Sequence, residues 1–92
     1  MKVRAVFHGI LSEWMGTRVV SLELPSKASL VELLGQIRVM FGDRMPHQLW
    51  DSQRGNFAQQ VLATRDGQPL RDPCAPLEDG QEIHFFLLLA GG

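Results

Sequence analysis

The stretch Glu82-Ile83-His84-Phe85-Phe86-Leu87-Leu88-Leu89-Ala90-Gly91-Gly92 decides how this 92-residue chain is read. A short apolar run behind the turn signal Glu78-Asp79-Gly80 reads as a buried strand. It is far too short to cross a bilayer, which takes ~20 apolar residues. Period two sets Ile83, Phe85, Leu87 and Leu89 on one face and His84, Phe86 and Leu88 on the other. The first set suits a core covered by a helix. The second is left exposed, and an exposed apolar patch usually means a partner. Gly91 and Gly92 add nothing to a sheet, because glycine weakens a strand and brings no packing. What they offer is mobility and thinness. Such an end threads a channel too narrow for any Cβ and presents its carboxylate to another protein's active site.

Upstream, Lys2 to His8 alternates, with Val3, Ala5 and Phe7 on one face and Arg4, Val6 and His8 on the other. That is a half-buried strand. Residues 9–16 read as a loop turning at Met15-Gly16, and residues 17–24 as a second strand with Val20, Leu22 and Leu24 inward. These two strands form a hairpin. Ser29 followed by Glu32 is a capping-box signature. Leu30, Leu33, Leu34, Ile37 and Phe41 then follow at helical spacing, and Gly42 is the stop. Residues 43–59 read as a long loop with a short helical turn near His47 to Trp50. Residues 60–65 form a strand, Asp66-Gly67 a hairpin turn and residues 68–71 a short return strand. A proline-bounded loop, Asp72 to Pro76, leads to the final strand. The expected fold is α+β: a mixed sheet of four to five strands with one main helix on one face.

Ninety-two residues are read as one domain, 1–92. A chain of this length buries about 60–65% of its unfolded surface. A composition 45% hydrophobic and 21% charged is that of a globular protein, and a net charge of −1 speaks against nucleic acid as the main partner. A single cysteine, Cys74, suits a reducing compartment. No signal peptide or membrane segment is evident, so the cytoplasm is expected. His8, His47 and His84 have no partners at metal-ligand spacing, so no metal site is expected. Nothing near Cys74 would lower its pKa, and no glycine-rich phosphate loop is present. No catalytic constellation emerges, so a non-enzyme is expected.

Leu77-Glu78-Asp79-Gly80-Gln81-Glu82-Ile83-His84-Phe85-Phe86, followed by Ala90-Gly91-Gly92, resembles the C-terminus of the MoaD/ThiS sulfur-carrier family, whose fold is the ubiquitin-like β-grasp, and this resemblance implies that the first and last strands lie side by side and parallel in the middle of the sheet. The shared pattern is an acidic-Gly turn, an acidic-aliphatic pair, two aromatics, a small residue and Gly-Gly. Leu87 and Leu88 depart from it, standing where the family often has a proline pair. The resemblance implies that the Gly92 carboxylate is adenylated by an ATP-dependent activating enzyme. A sulfur donor then converts it to a thiocarboxylate that serves an acceptor synthase subunit. The chain is then a co-substrate that carries sulfur on a tail of Ala90, Gly91 and Gly92. It binds no cofactor, and the ATP belongs to the partner. By position, the resemblance implies docking through Leu70, Phe86 and His8, with His84 and Leu88 beside them. His8 stands where the family often has an aromatic. The competing reading of that face is that the 43–59 loop folds over it. Within the family, the phenylalanine pair and the length favour the molybdopterin branch. A thiazole (thiamine) carrier, or one for amino-acid or tRNA sulfur, comes next. Two other classes stay open: a ubiquitin-like modifier joined to lysines through Gly92, and a plain β-grasp interaction domain.

Overall fold

The computed structural model describes residues 1–42, 50–51, 53, 56–57 and 61–88. Strand β1 (Lys2–Phe7) pairs antiparallel with β2 (Val19–Glu23), with Val3 opposite Leu22 and Ala5 opposite Val20. Strand β7 (Glu82–Leu87) lies on the other side of β1 and runs parallel to it, with Val6 opposite His84. Strand β5 (Val61–Arg65) pairs antiparallel with β7 and forms a hairpin with β6 (Gln68–Pro69). The resulting order is β2-β1-β7-β5-β6, a mixed five-stranded sheet with the expected parallel pair at its centre. Asp66 and Gly67 close the β5–β6 hairpin with φ of 54° and 78°. Positive φ at both central residues is what a two-residue loop needs to follow the sheet's twist.

Helix α2 (Leu30–Phe41) begins as the capping-box signature requires. The Ser29 N–H donates to the Glu32 carboxylate at 2.9 Å. The first four helical N–H groups are all taken by main-chain carbonyls. Leu30 donates to Ala75 and Val31 to Pro73, while Glu32 and Leu33 donate to Ser29. The 72–76 loop thus ties the helix start to the approach of β7. At the other end, Gly42 has a φ of 52°, a backbone that favours glycine.

The core lies between α2 and one face of the sheet. Leu33, Ile37, Val3, Ala5 and Ile83 are fully buried. Phe7 stacks on Phe85 with ring centroids 5.6 Å apart and meets Phe41 edge-on at 6.0 Å. Complete burial of one such side chain is worth about 1.5–3 kcal/mol.

Two segments read as loops carry structure. Residues 10–15 form a helix, α1 (Ile10–Met15), that buries Leu11 and Met15 and ends on Gly16 in the left-handed region. Its apolar positions are four apart and serve the core, which outweighs the polar look of Ser12-Glu13. Strands β3 (Trp50–Asp51) and β4 (Asn56–Phe57) pair as a separate two-stranded ribbon inside the expected 43–59 loop. The helical turn expected near His47 falls mostly on residues 43–49, outside the described residues. The return strand is two residues long instead of four. No helix among the described residues is long and apolar enough to cross a membrane.

Candidate functional site

Alternation along the strands leaves one sheet face without the helix. Lys2, Arg4, Val6 and His8 from β1 and its end share this face with Val19, Ser21 and Glu23 from β2. Glu82, His84, Phe86 and Leu88 from β7 and its end join them, with Leu62 and Thr64 from β5. The face is graded along the strands. At one end are ion pairs, Lys2 with Glu23 at 3.9 Å and Arg4 with Glu82. These groups are solvated, so each pair is worth about 0–1 kcal/mol. At the other end, where β7 leads toward the tail, the face turns apolar. There Val19 and Leu88 are half exposed, at 49% and 50%.

An aromatic cluster occupies this apolar end. The His8 ring lies flat on Phe86, with centroids 4.3 Å apart and planes 10° from parallel. It also stacks on His84 at 4.9 Å. His8 Nε2 is 2.6 Å from His84 Nδ1, and His84 Nε2 is 3.3 Å from Glu82 Oε1. The other Glu82 oxygen takes Arg4. Burial holds the His8 pKa below its usual value, and the neighbouring His84 and Arg18 lower it further. Helix α1 fixes the position of His8, whose carbonyl accepts the Leu11 N–H at 3.2 Å. The His8 N–H donates to the Phe85 carbonyl at 3.1 Å, which extends the β1–β7 ladder past the strand.

Three of the five expected docking residues, His84, Phe86 and His8, meet here through the His8 ring, and Leu88 follows two residues after Phe86 on the same side of the chain. Leu70 is not among them. The two-residue turn at Asp66-Gly67 sets Arg65 opposite Gln68, and the Leu70 N–H donates to the Ala63 carbonyl at 2.8 Å. Leu70 therefore joins Ala63 against the core, and Leu62, opposite Phe86, takes the open position. Phe86 is half-buried, not exposed as expected, because His8 covers its ring. The alternative covering of the face by the 43–59 segment is not seen in its described part. Trp50 packs against the core, with Arg38 of α2 over its ring at 5.9 Å, and the β4 backbone lies beside α2. Val6, Val19, Leu62 and Glu82 were not singled out as site residues. The alternation of β1 and β2 already held the signal for the first two.

The expected tail residues Ala90, Gly91 and Gly92, with Leu89 before them, lie outside the described residues. Among the described residues no group of three or more histidine, cysteine or acidic side chains is arranged to hold a metal. Cys74 is exposed, and its backbone N–H donates to the Asp72 carboxylate.

No protein-family model matches the chain. No curated protein matches it in sequence. Solved structures do match in fold. SAMP1 from Haloferax volcanii superposes with a TM-score of 0.81 at 17% identity over 100% of both chains. Urm1 from Trypanosoma brucei superposes at 0.75 with 17% identity, covering 99% of this chain and 95% of that one. A putative molybdopterin converting factor subunit 1 from Pyrococcus furiosus superposes at 0.68 with 18% identity, covering 97% and 99%. The fold is the ubiquitin-like β-grasp expected from the sequence.

Proposed function

We propose that this β-grasp chain is a sulfur carrier, adenylated and then thiocarboxylated at Gly92. One observation carries the reading: the apolar end of the open face lies on the strand that leads into Ala90-Gly91-Gly92. A partner seated on Phe86, His8, Leu62 and Leu88 would have the tail directed into its own active site. The chemistry requires that partner. A carboxylate is a poor electrophile. One of its oxygens attacks the α-phosphorus of the partner's ATP, and pyrophosphate leaves. The acyl-adenylate carbonyl is then attacked by hydrosulfide from the sulfur donor, AMP leaves with the C–O bond electrons, and the thiocarboxylate remains. All four N–H groups at the start of α2 are already bonded to main-chain carbonyls, so this helix offers no cradle for the nucleotide's phosphates. On this reading the chain is the co-substrate, and the activating enzyme is the catalyst. The acceptor we favour is a molybdopterin synthase subunit, on the Phe85-Phe86 pair and the chain length, with thiazole synthesis next. The lone, exposed Cys74 suits a reducing cytoplasm.

A second reading shares the first step. If a lysine amine attacks the acyl-adenylate, or an ester formed from it, the chain becomes a protein modifier. It is favoured by the name of one solved neighbour, the small archaeal modifier protein 1 of Haloferax volcanii. The test is to incubate the chain with its activating enzyme, ATP and a sulfur donor, and to follow intact mass. Exchange of one oxygen for sulfur supports the carrier. Isopeptide conjugates at lysines with no thiocarboxylate support the modifier. Exchange in a chain extended beyond Gly92 would exclude the Gly92 carboxylate as the site.

A further inference from the structure

The contact between His8 and His84 has no part in the acyl chemistry. At 2.6 Å, the facing nitrogens must hold one hydrogen between them, with one donating and the other accepting. Glu82 sets the direction in the neutral pair. Its Oε1 accepts from His84 Nε2, which leaves His84 Nδ1 bare to accept from His8 Nε2–H. Adding one proton leaves that bond intact. Whichever ring carries the charge, a single hydrogen still lies between the facing nitrogens. A second added proton does not. All four ring nitrogens are then protonated, two N–H groups point at each other, and neither can accept.

Charged groups surround the pair on several sides. On β7, Glu82 lies against His84, and on β1, Arg4 holds the other Glu82 oxygen. Asp66, Glu78 and Asp79 line the open hollow that Arg4, Glu82 and His84 share. On the β2 side, Arg18 adds a third positive charge near His8. From β5, the residue opposite His84 is the neutral Thr64, while Arg65 is turned away to the Pro76 carbonyl. The only ionisable side chain of α1 is Glu13.

We propose that the His8–His84 pair is a two-proton switch in the open face: the two rings stay hydrogen-bonded, with His8 held flat on Phe86, at up to one added proton, and part when a second arrives. Parting uncovers the Phe86 ring, so the face has a closed form and an open form with different apolar areas. The lowered pKa of His8 agrees with a disfavoured second proton. That the switch governs docking rests on the carrier reading. The switch itself does not.

The experiment is therefore done on the free chain. Long-range proton–nitrogen NMR follows both imidazoles between about pH 8 and pH 5, where histidine changes charge, together with the Phe86 ring protons. Two separated histidine steps are expected, the lower one below the ordinary histidine range. The Phe86 shifts should move with the lower step and stay still through the upper one. His84→Gln should leave His8 a single step that lies higher than its lower step in the wild type, yet still below the ordinary range, because burial and Arg18 act on it as before. His8→Phe keeps a flat ring on Phe86 and should leave its shifts level across the whole titration. Simultaneous, ordinary titration of His8 and His84, or Phe86 shifts that follow neither step, would overturn the proposal. A chain that never accepts sulfur yet shows the two steps would lose the carrier reading and keep the switch.

Discussion

Phe85 and Phe86 are neighbours in sequence on opposite faces of one strand, so truncating each to alanine is an internal comparison. Phe85 is 1% exposed, stacked on Phe7 and sealed beneath α2. Phe85→Ala loses the transfer energy of a whole ring and leaves a cavity that a packed core cannot close, about 3–5 kcal/mol. Phe86 is half-buried, and one side of its ring is covered by His8. Its removal leaves a surface hollow that water or a shifted His8 fills. Only the transfer part is lost, so Phe86→Ala should cost about 1–2 kcal/mol. Urea denaturation of the three chains reads both values, provided the slope m is unchanged. In a domain of this size, each kcal/mol also lowers Tm by about 4–8 °C. Phe85→Ala thus removes a large part of a typical stability of ~5–15 kcal/mol. Equal losses at the two positions, or a larger loss at Phe86, would mean that β7 is out of register by one residue and that its faces are exchanged.

Phe86→Ala should weaken association with the activating enzyme by more than ~1 kcal/mol, as loss of a central aromatic anchor does, and calorimetry with the folded variant would measure it. Ser29→Ala should cost ~1 kcal/mol by disturbing the start of α2. Glu32→Ala should cost at least as much, because the Glu32 carboxylate accepts the Ser29 N–H, and an unchanged denaturation midpoint in both would show that the cap is idle. Gly91→Val should abolish sulfur uptake in the mass assay and leave the denaturation midpoint of the wild type, since a channel shaped for bare backbone rejects a β-branched side chain. Stability should fall as the pH drops below histidine's ordinary value of about 6.5. The native His8 pKa is lowered, so the unfolded chain takes up the proton first, and the native advantage present above that value is lost as pH falls through the native pKa. Urea midpoints taken across the range should show this slope, and His8→Phe should flatten it.

The elements legible in the sequence were those with a long local period or a specific cap. Lys2 to His8 and Glu82 to Leu88 alternate cleanly, and Ser29, Glu32 and Gly42 bound α2 as read. Helix α1 was missed because six residues give barely two turns of pattern. Leu11 and Met15, four apart and closed by the left-handed Gly16, were the available signal. The β3–β4 ribbon has two residues a side, too short for any alternation to register. Resemblance alone puts Leu70 on the open face, and the hairpin register puts it against the core. Counting across the Asp66-Gly67 turn gives the Ala63–Leu70 match directly. The His8–His84 contact was beyond local reading. It joins residues 76 apart and depends on the parallel register of β1 against β7, which no short window contains.

The central place of that parallel pair also sets when this protein can fold. Until β7 has been synthesised, β1–β2 and β5–β6 are two hairpins with no strand to join them. The core then lacks Ile83 and Phe85. Closing the gap between β1 and β7 spans nearly the whole chain, and such non-local pairing forms late and slowly. On a ribosome, which releases the chain N-terminus first, the sheet cannot be completed while β7 is still inside the exit tunnel. Without β7 the open face has neither the Phe86 ring nor the His84 that pairs with His8.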